Sequence, residues 1–145
     1  MQAWHQKNLL EPDFPFELHI TENLEFPPHW HEEFEIIYVL DGQLDIGVNN
    51  EIYTLNPTDI LIIQGGDVHH FLPPVKWSKK VIMQFGLSLF GSFSSAIADK
   101  KISTPLLRSY EAQNTCDKKE NAVCNAHKAI EAQILAMIYE FWYVL

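Results

Sequence analysis

Two histidines and a glutamate lead into a very apolar strand: His29 and His31, then Glu35, in the run HWHEEFEIIYVLDG. In an extended chain His29, His31, Glu35, Ile37 and Val39 share one parity and point the same way. The polar trio and the aliphatic pair therefore line one wall, and the aliphatics make it an interior wall. An unpaired carboxylate in such a place is costly. A metal ion or a bound polar ligand would supply the missing partner. The rival reading is structural, with the histidines hydrogen-bonding loop backbone and satisfying Glu35. HEEFE is not the zinc-protease helix motif, because Glu35 stands where the second histidine belongs and the pattern is that of a strand.

The segments around this wall read as short strands. Phe16, Leu18 and Ile20 alternate with Glu17, His19 and Thr21, the period of a half-buried strand. FPPHW interrupts, since two prolines do not fit a paired ladder. Phe34 to Leu40 is apolar on both faces. Asp41-Gly42 is a hairpin signal. Leu44, Ile46 and Val48 alternate again, Asn49-Asn50 turns the chain, and Ile52–Leu55, ILII, His69–Leu72 and Lys80–Phe85 follow with turns between them. Many short strands at this spacing predict a mainly β fold, an antiparallel sandwich or small barrel.

Residues 1–15 read as an N-terminal arm, 16–86 as the barrel and 87–145 as a helical segment. STPLLRSY predicts a short helix with Pro105 in its first turn. Asp117 to Leu145 predicts one long helix with two apolar stripes. One stripe docks the helix on a sheet. The other points to a second subunit, and Ile134, Leu135, Ile138, Phe141, Trp142 and Leu145 are the expected dimerisation surface. The apolar, uncapped end implies a longer natural protein beyond Leu145.

The 145 residues suit one domain. A net charge of −9 disfavours direct contact with nucleic acid. Lys76, Lys79 and Lys80 read as a solvated strand edge. Cys116 and Cys124 match no redox or zinc spacing and read as reduced thiols, which favours the cytoplasm. There is no signal core and no run long enough to span a membrane. No phosphate-binding glycine loop and no serine nucleophile motif is present.

His29, His31, Glu35 and Gly42 have the spacing of the first motif of the cupin superfamily, and Gln64, Gly66 and His69 hold places of its second motif. The resemblance implies a jelly-roll type small β-barrel in which His29, His31, Glu35 and His69 hold a divalent transition metal, with zinc, nickel, manganese or iron suited to that donor set. Asn23 and Thr58 stand where the two motifs begin with glycine, Gln64 where the second has proline, and Pro73 where it ends with asparagine. Either His69 or the adjacent His70 could face inward. More narrowly, HWHEEFEIIYVLDGQL and NPTDILIIQGGDVHHF resemble the ligand-binding domain of AraC-family transcriptional regulators. That resemblance implies a sensor without catalytic residues. A small-molecule effector, a sugar or related metabolite, would bind along His29, His31, Glu35, Ile37, Val39 and His69. The chain would be a homodimer, and DNA would be met only by a separate C-terminal domain. The alternative is a metal-dependent cupin enzyme, a dioxygenase or isomerase.

Overall fold

The computed structural model describes residues 2–109 and 122–144, with side chains described over 2–109 and 124–140. Among the described residues, ten strands form two five-stranded sheets. They are β1 (Trp4–His5), β2 (Phe16–Glu22), β3 (Phe26–Trp30), β4 (Phe34–Gly42), β5 (Leu44–Val48), β6 (Glu51–Leu55), β7 (Ile60–Ile63), β8 (His69–Phe71), β9 (Ser78–Phe85) and β10 (Leu106–Leu107). One sheet has the order β1-β3-β8-β5-β6 and the other β10-β7-β4-β9-β2. All neighbours are antiparallel except β1 and β3. A 3₁₀ segment (Leu87–Phe93), a short helix α1 (Ser94–Ala98) and the long helix α2 (Ala122–Val144) complete the chain as described. The mainly β fold with a C-terminal helix is the one expected.

The two-residue period of β4 divides the interior in two. Ile37 and Val39 join Leu44, Ile46, Val48, Leu55, Leu61, Ile63, Phe71 and Ile82 between the sheets. Tyr38, on the opposite face, joins Ile60, Val81, Met83 and Leu107 under Ile134 of α2. The central strand is thus covered twice, once by the facing sheet and once by a helix.

Several local expectations are corrected. FPPHW is not an interruption: Phe26 pairs with Phe71 and His29 with His69, and the ladder shifts register across the two prolines, which need no donor there. Asp41-Gly42 is not a hairpin. β4 pairs with β7 and β9, β5 with β6 and β8, and the chain turns a corner from one sheet to the other. Gly42 makes that corner with φ +78, and a Cβ there would fall 2.0 Å from the Trp77 carbonyl oxygen. Asn49-Asn50 does close a hairpin, between β5 and β6. Leu106–Leu107, expected in a helix, adds a strand to the edge of β7.

Lys80 is not on a solvated edge but buried, only 1% exposed. Cys124 is disulfide-bonded, which overturns its reading as a free thiol and removes that argument for a reducing compartment. Cys116 lies outside the described residues, as do the first residues of the long helix expected from Asp117. No helix among the described residues is long and apolar enough to cross a membrane.

Candidate functional site

Three separate pieces of backbone bring the site together. His29 lies on β3 opposite His69 at the start of β8, so pairing of those strands sets the two rings side by side, with centroids 4.2 Å apart. His31 comes from the loop before β4, and its ring centroid lies 4.9 Å from that of His69. Glu35 enters from β4. The two loops touch: the Gly66 amide donates to the His31 carbonyl at 2.8 Å. Gly65 permits that approach, since a Cβ on it would lie 2.2 Å from the Glu32 carbonyl oxygen.

The histidines are oriented by one repeated device. Nδ1 of His29 lies 2.9 Å from the Pro27 carbonyl oxygen, Nδ1 of His31 3.0 Å from that of Glu33, and Nδ1 of His69 2.9 Å from that of Asp67. Each carbonyl sits two residues away from its histidine and accepts the Nδ1 proton. That fixes the tautomer and leaves every Nε2 with a free lone pair. The three histidines offer ring nitrogens within 4.8 Å of one another. Nε2 of His31 and of His69 is buried with no hydrogen-bond partner, and so is Oε1 of Glu35. Buried polar atoms are rarely left so. Glu35 Oε2 accepts a hydrogen bond from Gln84 Nε2 at 2.8 Å and lies 3.4 Å from His31 Nε2 and 3.7 Å from His69 Nε2. Convergent imidazole lone pairs beside an ionised carboxylate fit a divalent metal ion, so the triad could hold one.

The electrostatics follow from burial and proximity. Burial lowers the His29 pKa to about 4, and the neighbouring His69 pushes the same way. Burial alone would raise Glu35, but the His31 and His69 rings close beside it and the hydrogen bond from Gln84 hold its carboxyl down at about 2. Burial also opposes a charge on His69, yet the negative charge of Glu35 beside it raises it above the ordinary histidine value. Without a metal, the cluster is an ionised carboxylate facing one histidine that is readily protonated and one that is not.

His29, His31, Glu35, Ile37, Val39 and His69, expected on one wall, are brought together, all of them buried. His69 rather than His70 is the inward histidine. His70 lies against Gly47, where a Cβ would meet its ring at 2.0 Å. The absent motif glycines leave the geometry intact: Asn23 and Thr58 hold φ +44 and +68, the left-handed conformation glycine adopts freely. Of the expected dimerisation residues, Ile134 is fully buried on the chain's own sheet, Ile138 packs there in part and Leu135 is 47% exposed. The side chains of Phe141, Trp142 and Leu145 lie outside those described.

Sequence reading missed Gln84 and the place of the arm at the site. Gln84 was legible as the one polar residue in VIMQF with the inward parity. Residues 1–15 were legible as an arm, but not their pairing beside His29. β1 pairs in parallel with β3, Trp4 stacks on His29 at 5.9 Å and His5 on Trp30 at 3.8 Å. Gln6 and Leu9 then help wall a cavity of about 220 Å³ that also meets Thr21, Phe26, His29, Glu35, Phe71 and Gln84.

The sequence model of the AraC-like ligand binding domain matches residues 15–114. No curated protein matches the chain. Among solved structures, SPY1581, a conserved protein of unknown function from Streptococcus pyogenes, is 14% identical over 49% of this chain and 64% of that chain, with TM-score 0.46. The DMSP lyase DddQ from Ruegeria pomeroyi is 18% identical over 50% of this chain and 39% of its own, with TM-score 0.45. The cupin protein BF4112 from Bacteroides fragilis is 18% identical over 63% of this chain and 75% of its own, with TM-score 0.46. The chain spans less than two thirds of the length of the first two.

Proposed function

The chain belongs to the family of AraC-like ligand-binding domains, and from that premise we propose that it is the effector-sensing and dimerisation domain of a transcriptional regulator. The observation that supports this reading is the shared wall of the cavity. Gln6 and Leu9 of the arm face the same space as His29 and Glu35. A small molecule held there touches the arm and the barrel at once, so it favours one placement of the arm over others. Differential contact of that kind is what shifts a population. A DNA-binding domain elsewhere in the protein would read the shift, and the exposed face of α2 would join two copies. The cytoplasmic location follows from that role and not from the cysteines.

His29, His31, His69 and Glu35 would hold a zinc, nickel, manganese or iron ion. Once bound, the ion would supply a Lewis acid able to take an oxygen of the effector. The chain's own part is positional. The carbonyls of Pro27, Glu33 and Asp67 aim the imidazoles, and Gln84 fixes the carboxylate.

A second reading, a metal-dependent cupin enzyme, is favoured by the orphaned Nε2 atoms of His31 and His69. Two experiments separate them. Elemental analysis of untagged protein beside His31→Ala gives near one metal per chain, lost in the variant, if the histidines are ligands. The sensor reading then expects a natural full-length protein that binds DNA, with small-molecule effectors changing its affinity for an operator. A full-length protein without a DNA-binding domain, turning over a substrate, would establish the enzyme instead.

A further inference from the structure

Lys80 is a buried charged group in the barrel that the histidine site leaves unused. It lies on β9 with the same parity as Ile82 and Gln84, so it faces the space between the sheets. Its side chain is 1% exposed, and among the described residues burial alone acts on its ionisation, with no hydrogen-bonding or charged group beside Nζ. The contact it does make is with Phe71, whose ring centroid is 5.5 Å from Nζ. Across the ladder its partner is Thr21, whose Oγ1 is buried with no hydrogen bond. Residues directly opposite in an antiparallel pair present their side chains on one face. Two unpartnered polar side chains therefore stand side by side. Thr21 and Phe71, the two neighbours of Lys80, both line the 220 Å³ cavity, so Lys80 stands next to that wall.

The acids around that cavity are already engaged. Glu17 meets His19 at 2.9 Å, and Glu35 is held by Gln84. Burial without a counter-ion lowers the Lys80 pKa, so an anion brought alongside restores the charged form. A hydroxyl donor beside an ammonium is the pairing that holds a carboxylate.

We propose that the barrel cavity takes a small organic acid, with its carboxylate at Lys80 and Thr21 and its other polar groups turned toward the histidines and Glu35. The proposal rests on the reading of the barrel as a ligand-binding domain and narrows its effector from polar metabolites to acids. Lys80 and Gln84 lie four residues apart on one strand, about 13 Å. That span suits a hydroxylated acid of several carbons, and the cavity is smaller than the pockets that hold drug-sized molecules.

The test uses matched pairs differing in the acid group: glycerate against glycerol and gluconate against glucitol. Each is titrated calorimetrically into wild type and Lys80→Met, while carbon-13 at Cε of Lys80 is followed by NMR in wild type. Expected is acid binding with a saturable shift of the Lys80 resonance, no such shift with the polyols, and about tenfold or greater weakening in Lys80→Met. Removing a buried amine in favour of an apolar isostere leaves the fold intact, and the resonance measurement needs no variant. The proposal is overturned if the polyols bind as well as the acids, which leaves the sensor reading standing. It also falls if Lys80→Met binds the acids unchanged, as an acid held by a metal at the histidines alone would. Acids that leave the Lys80 resonance unmoved overturn it too.

Discussion

His29 and His69 sit on paired strands with rings in contact, yet their ionisations are pushed apart, and this gives the metal-free protein a pH signature. His29 has a folded pKa near 4, below its unfolded value of 6.5. Between those values the unfolded chain binds more protons, so stability falls as pH drops from 6.5 toward 4. His69 is raised. Its contribution is complete below 6.5 and is lost as pH rises through its folded value. The two slopes oppose each other on either side of the ordinary histidine pKa. Thermal denaturation in a chelator should therefore show greatest stability near pH 6.5. His29→Asn should flatten the acid limb and His69→Asn the alkaline one. Glu35 adds nothing across this range, because its change lies between 4.5 and about 2. A pH profile unaltered by either variant would mean that the histidines are not coupled as the geometry requires. Adding a metal that they bind should raise stability most at neutral and alkaline pH, where protons no longer compete for Nε2.

At the scale of elements, the two loops that deliver His31 and His69 depend on close backbone contact. Gly65→Ala places a methyl 2.2 Å from the Glu32 carbonyl oxygen, a backbone atom that cannot swing away. The variant should lose about 1–3 kcal/mol in urea unfolding and lower metal affinity more than its stability loss explains, since the loops part. Thr58 offers the opposite case. A β-branched residue at φ +68 is strained, and its backbone is held there by the hydrogen bond its N–H donates to the Val39 carbonyl and by His127 Nε2 at 2.9 Å from its own carbonyl oxygen. Thr58→Gly should raise stability by about 0.5–1 kcal/mol. Asn23→Gly should not, because Asn tolerates that conformation and its Oδ1 accepts the Ser78 amide. These positions also show what the sequence could and could not tell. The alternation around Glu35, Ile37 and Val39 was enough to place the site wall, because a period of two admits one face only. The sheet to which each strand belongs was not legible. Asp41-Gly42 reads as a hairpin whether the next strand pairs back or crosses to the other sheet, and the difference lies in Trp77, thirty-five residues on. The prolines of FPPHW misled for the same reason: a shifted register with a distant strand leaves no mark on the local pattern.

For the whole molecule, α2 decides whether the barrel stands alone. Its inner face is spoken for. Ile134 is fully buried over Tyr38, Ile60 and Val81, Tyr38 donates to Glu131 Oε1 at 2.8 Å, and His127 reaches the Thr58 carbonyl. Ile134→Ala should therefore cost about 2–5 kcal/mol in the monomer itself and is a poor probe of association. The outer face is different. Leu135 is 47% exposed, an apolar side chain that the barrel does not cover. If two copies join through it, burial of that surface supplies the drive, and a charge placed there is desolvated without a partner. Leu135→Glu should then leave the thermal unfolding of the barrel unchanged while shifting sedimentation from dimer to monomer at micromolar concentration. A wild type that sediments as monomer would remove the interface. A Leu135→Glu dimer as tight as wild type would move the interface to another face. Because the same helix is anchored on β4, the strand that carries Glu35, an effector seated at Glu35 would press on the joint between subunits through Tyr38. Dimer affinity measured with and without that ligand, in wild type and Tyr38→Phe, would show coupling as a ligand-dependent shift that the variant reduces.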